Sequence, residues 1–142
     1  MRNNVILGFI GTLGSIIATA YGGWDMSLNT LIIFMAIDYI TGIIVAGVFK
    51  KSKKTETGGL QSVAGWKGLC RKGGTLLVVL VACRLDIILG TTFVRDAVII
   101  AYIINETLSI IENVGLMGVP IPQVLVDAID ILKKREKRDG EE

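Results

Sequence analysis

Twenty-two consecutive residues, Asn3 to Trp24, carry no charge. A run of that length crosses a hydrocarbon core of ~30 Å as one helix, which needs about 20 mostly apolar residues. Three further apolar segments follow, and together they fill most of the 142 residues. The chain is read as an all-α integral membrane protein with three to four transmembrane helices, a short C-terminal amphipathic helix and an oligomeric state. Spans are expected at about 5–20, 28–49, 73–89 and 97–116. Residues 1–132 form one membrane domain, interrupted by a basic cytoplasmic loop at 50–72. A charged cytoplasmic tail, 133–142, closes the chain.

Four spans leave no room for a soluble catalytic domain. Histidine, the commonest acid–base and metal-binding side chain, is absent. Cys70 and Cys83 belong to no metal-ligand spacing and are read as structural. These features weigh against an enzyme. No cofactor and no nucleic-acid partner is expected.

The first segment carries small residues at Gly8, Gly11, Ser15, Ala18 and Gly22, spaced 3, 4, 3 and 4. On a helix this is one stripe, where another helix approaches closely. The competing reading is that glycine is simply common in membrane helices. Arg2, the apolar core and Ala18-Thr19-Ala20 also fit a secretory signal peptide. Retention is preferred, because the stripe suits packing better than a transient signal. Trp24 is expected at the membrane–water boundary.

The second segment holds one acid, Asp38, on the same face as Gly42 and Ala46. Its carboxyl group is expected to point at another helix. The basic stretch contains Lys50, Lys51, Lys53, Lys54, Lys67, Arg71 and Lys72 against one acid, Glu56. Leu60, Val63, Ala64 and Trp66 either lay a short amphipathic helix on the membrane surface or belong to an ordinary loop. The third segment carries Arg84 and Asp86, which lie two apart and so point in different directions. Arg84 is expected to meet Asp38, with Asp86 as the third member of an intramembrane charge set.

The fourth segment repeats polar residues at helical spacing: Asn105, Glu106, Ser109, Glu112 and Asn113, with Tyr102 before them. Amphipathicity inside a membrane is the pattern of a wall facing water. Pro120 and Pro122 end that helix. A final helix is expected over Gln123 to Leu132, followed by a solvated, partly disordered tail.

Lys and Arg number seven in the 50–72 stretch, one in the third connection (Arg95) and five in the tail. Positive charge stays in the cytoplasm, so both termini are expected inside. Asp38, Arg84, Asp86, Glu106 and Glu112 would each cost ~2.5–3.5 kcal/mol facing lipid at a helix centre. They are paired, protonated, near an interface or turned to water, so that both a water-lined oligomer and pairing within each bundle are allowed. The residues alone leave both open.

An ordered set of motifs carries a resemblance. Gly22-Gly23-Trp24-Asp25 and Ile37-Asp38-Tyr39-Ile40-Thr41-Gly42 come first. Ser62-x-x-Gly65-x-x-Gly68-x-x-Arg71-Lys72 follows. Then come Arg95, Tyr102-x-x-Asn105-Glu106-x-x-Ser109-Ile110-x-Glu112-Asn113 and Gly118-x-Pro120-x-Pro122. From about Gly22 to Leu132 the chain resembles the toxin-secretion/phage-lysis holin family. The resemblance implies a protein of the host bacterial cytoplasmic membrane that oligomerises and opens large non-specific holes. Those holes would release a phage endolysin, or a large toxin. It implies three partners: further copies of itself, a bilayer with anionic lipids, and an endolysin. Several family members have a histidine where this chain has Arg84. Two other readings remain: a small oligomeric ion or solute channel, and a membrane interaction protein.

Overall fold

The computed structural model describes residues 1–139. The described residues form five helices and no strands. They are α1 (Arg2–Ala20), α2 (Met26–Ile44), α3 (Ser62–Leu89), α4 (Val94–Leu116) and α5 (Gln123–Asp139). A single π-helical stretch, Val45–Phe49, extends α2. Among the described residues three helices are long and apolar enough to cross a membrane: Arg2–Ala20, Met26–Phe49 and Val94–Leu116.

Local chemistry sets the helix ends. Asp25 caps α2, its carboxylate accepting from the backbone N–H of Leu28 at 2.9 Å. Such a cap satisfies one of the orphan amides at a helix start. α3 stops at Gly90, which takes the left-handed conformation at φ 67°. That is the ordinary glycine termination of a helix.

α2, α3 and α4 make the core. Leu28, Leu31, Met35, Val79 and Ile99 are buried together, with Tyr21, Leu76 and Tyr102 packed around them. The largest interface lies between α2 and α4. Asp25 meets Arg95 at one end of these helices, and Asp38 meets Asn113 further along. α2 and α4 therefore run in the same direction. Lys72 of α3 lies beside Asp38, whereas Cys83 lies beside Gly22. α3 thus runs antiparallel to both. Gly22 (φ 79°) is required at that second contact: a Cβ there would stand 3.1 Å from the Cys83 sulfur.

α1 differs from all of these. None of its residues is buried, and a Cβ added at Gly8 or Gly11 would meet nothing within 4 Å.

Two expected boundaries are corrected. The 50–72 loop ends at Gln61, and the expected 73–89 span is the second half of one 28-residue helix, α3. The helix continues back through Lys72 because its 3,4-spaced face has a partner along its whole length. Gly65 and Gly68 lie against the Tyr39 ring, Lys72 against acids, and Val79, Cys83 and Asp86 are buried. α5 reaches Asp139 rather than Leu132. The expected 133–142 tail is thus helical through Asp139, and residues 140–142 lie outside the described set. Basic residues in the last turn of α5, Lys137 and Arg138, favour that extension by facing the negative end of the helix dipole.

Candidate functional site: a buried charge cluster beside a polar cleft

Asp38 sits near the middle of α2 and Glu106 near the middle of α4. Between them Lys72 of α3 places its Nζ 2.7 Å from Asp38 Oδ2 and 2.6 Å from Glu106 Oε2. The three side chains are only 13%, 7% and 7% exposed. Asn113 completes the set. Its Nδ2 donates to Asp38 Oδ1 at 3.1 Å, to the Asp38 carbonyl at 3.3 Å and to Thr41 Oγ1 at 3.0 Å. Both carboxylate oxygens of Asp38 are therefore engaged. An isolated charge in such surroundings is costly, and pairing with hydrogen bonds is what permits burial.

This cluster corrects the expected partner of Asp38. Its cation is Lys72, not Arg84, which is exposed on α3. Twelve residues separate the two, about 18 Å along a helix, so Arg84 stands far from the level of Asp38. Lys72 adjoins Arg71 and precedes two glycines, which gives it the sequence surroundings of a loop. The legible signal was its place in the stripe Gly65, Gly68, Lys72, Cys83, Asp86.

The expected water-facing stripe of α4 is split. Glu106 and Asn113, seven residues apart, are buried toward α2 and α3. Asn105, Ser109 and Glu112 line a cleft of about 650 Å³ with Tyr39, Arg71 and Tyr102. Asp38, Lys72 and Glu106 form part of its wall. Glu112 is exposed and pairs with Lys53 at 2.7 Å. Gly42 faces Asn113 and Ala46 is buried, so the small face of α2 lies toward α4. Gly8, Gly11 and Ser15 of the α1 stripe are exposed, and Ala18 is half-buried.

A second polar knot ties the opposite end of the bundle. Asp86 of α3 is buried and caps α4 from outside the helix. Its carboxylate accepts from Val94 N–H at 3.1 Å, Arg95 N–H at 2.8 Å and Thr91 Oγ1 at 2.6 Å. The Arg95 side chain turns to the α1–α2 connection. It donates to the Tyr21 carbonyl at 2.7 Å, the Gly23 carbonyl at 3.3 Å and Asp25 Oδ2 at 2.7 Å. The Arg95 guanidinium holds the Asp25 carboxyl below the usual carboxylate range. Tyr21 adds a bond from its hydroxyl to the Leu76 carbonyl at 2.9 Å. In the sequence Arg95 stands as a charge of the third connection and as one residue of the family-like motif. Nothing in its spacing announces a partner 70 residues away.

The model of the bacteriophage holin family matches residues 15–134. This chain belongs to the bacteriophage holin family. A probable holin of Bacillus phage phi105 is 37% identical over 118 residues, covering 79% of this chain and 82% of that one. An uncharacterised 14.9 kDa protein of Clostridium perfringens is 39% identical over 135 residues, 94% of this chain and 96% of that one. An uncharacterised Listeria monocytogenes protein is 37% identical over 137 residues, 96% and 89% of the two chains. No solved structure matches. The holin-family match contains the whole Lys72 cluster and the whole Arg95 knot, and begins only within the second half of α1.

Proposed function

We propose that this chain is a phage holin. It gathers in the bacterial cytoplasmic membrane, both termini inside, and opens large non-specific holes through which an endolysin or a toxin leaves. No catalytic step is assigned to it. Membership of the holin family carries this reading, and the 37% identity to a probable phage holin supports it.

The geometry supports a two-stage mechanism. In the single chain the deepest charges are satisfied internally by the Lys72 cluster, so a dispersed bundle is tolerated in lipid. Above a critical density, copies associate. Asn105, Ser109 and Glu112 already face the cleft. Glu106 borders the same cleft but is held by Lys72, and Asn113 lies outside it. Both turn fully to water only if α4 moves relative to α2 and α3, breaking the contacts to Lys72 and Asp38. That rearrangement is the proposed trigger. Membrane polarisation restrains it, since moving one charge through 100 mV is worth ~2.3 kcal/mol. The basic segment beyond Phe49 faces anionic lipids.

The testing experiment is induction of this protein in bacteria, following ion leakage and escape of a folded cytoplasmic enzyme together. The expected result is abrupt loss of both after a delay. Ion leakage with the enzyme retained would identify a small channel instead, and neither signal would identify an interaction protein. Glu106→Leu should insert normally, keeping the Lys72–Asp38 pair, and fail to release the enzyme. Normal release by that variant would remove Glu106 from the mechanism.

A further inference from the structure

The seven cations of the basic stretch are not equivalent. Lys72 is consumed by Asp38 and Glu106, and Lys53 is engaged by Glu112. Lys54, Lys67 and Arg71 line one hollow of about 330 Å³ with Glu56, Thr55 and Gln61, and Lys54 and Arg71 also border the adjoining cleft. Among the described residues none of these three cations makes an ion pair. Against the single acid, the hollow keeps an excess of two positive charges.

Its position matters as much as its charge. The apolar run of α2 ends at Phe49, and the hollow is built from the loop just beyond it and from the first turns of α3. Side chains on a helix lean toward its N-terminus. The Arg71 side chain does so, its Nε reaching the Lys67 carbonyl at 3.4 Å. The Arg71 side chain is thereby drawn away from the level of Lys72 and toward the loop, as snorkelling side chains are. The neighbouring side chains Leu60, Val63 and Trp66 are exposed and apolar. Trp is the residue that settles at the headgroup level. A compact cationic hollow flanked by apolar side chains, at the end of a span, is complementary to a phosphate joined to acyl chains.

We propose that this hollow is a headgroup site for an anionic phospholipid, with Lys67 and Arg71 as its principal contacts and Lys54 closing it from the loop. The inference deepens the membrane-surface reading of the basic segment and is independent of hole formation. Lipid retention can fail while enzyme release stands, and the reverse.

The experiment places the full chain in nanodiscs of equal phosphatidylglycerol and phosphatidylcholine, then counts retained lipids by native mass spectrometry. The unmodified chain should retain phosphatidylglycerol in preference. Each cation near an anionic surface is worth ~1 kcal/mol, about a fivefold change in affinity. Lys67→Gln/Arg71→Gln should therefore weaken retention about 25-fold by the same rule. Lys50→Gln/Lys51→Gln, with the same loss of charge outside the hollow, should weaken retention distinctly less than Lys67→Gln/Arg71→Gln does. The charge-conserving pair Lys67→Arg/Arg71→Lys should keep the preference. No preference in the unmodified chain, an equal fall in both glutamine pairs, or loss in the charge-conserving pair would each overturn the site.

Discussion

α1 and the α2–α4 bundle are both helical and both apolar, yet only one of them has a defined tertiary environment. α1 is uncharged from Asn3 onward and buries nothing against the rest of the chain. The bundle carries Asp38, Lys72, Asp86, Arg95, Glu106 and Asn113, and buries all of them wholly or nearly so. The difference teaches what polar groups do in a membrane. Lipid tails are as apolar as leucine, so apolarity sends a helix into the bilayer without choosing its neighbour. A buried ion or amide does choose, because every alternative arrangement leaves it unpaired. The three-helix arrangement is therefore specified by its polar contacts, and α1 has no buried residue in it.

The most damaging way to probe that contrast is Lys72→Met. It leaves two carboxylates buried without their cation, and breaking a buried pair costs ~3–5 kcal/mol. Denaturant titration in micelles should register a loss of that order. Adding Asp38→Asn and Glu106→Gln should recover most of it, since a neutral set carries no uncompensated charge. If the triple variant is as unstable as the single one, the cluster's role is packing and not charge.

Arg95→Ala probes the other knot and should cost less, about 2 kcal/mol, the scale of hydrogen bonds to a charged group. Asp25 is nearly half exposed, so solvent screens its share. The pH dependence has a definite sign. Asp25 ionises at lower pH in the folded chain than in the unfolded one. Its contribution is complete above the unfolded value of about 4 and is lost as pH falls through the lower folded value. Acid titration of unfolding should show this loss in the unmodified chain and a much weaker one in Arg95→Ala. An unchanged acid limb would mean that Arg95 is not the cause.

The smallest effect is expected on the other side of the comparison. Gly11→Leu meets open space, so bundle stability should change by less than about 0.5 kcal/mol, as for a surface site. Self-association, followed by cross-linking in the membrane, is where that variant should show a deficit. A stability loss matching Arg95→Ala would place α1 against the bundle and dissolve the contrast.

How much of this was legible beforehand varies by residue. The inward face of α2 was readable from Asp38, Gly42 and Ala46, because one charge beside small residues at helical spacing has few alternatives. The end of α4 was readable to within a few residues from Pro120 and Pro122. Lys72 was misplaced, because a lysine beside an arginine reads as loop unless the stripe running through it is followed in both directions. The split of the α4 stripe was hidden as well. Asn105 and Glu106 are adjacent in sequence, and a turn of about 100° per residue leaves Asn105 exposed in the cleft and Glu106 buried in the ion cluster of its wall.

The amino-acid sequence by itself determined that this chain is helical, lies in a membrane and carries its charge mainly at one end of its helices. Those properties follow from the length of uncharged runs and from the cost of placing charge in lipid, which depend on each segment alone. Only the tertiary structure decided that Lys72 serves Asp38 and Glu106, that Asp86 caps α4, and that Arg95 holds the α1–α2 connection. Each of these is a contact between segments tens of residues apart. Its energy depends on distance and on the exclusion of water, and neither exists until the helices have packed.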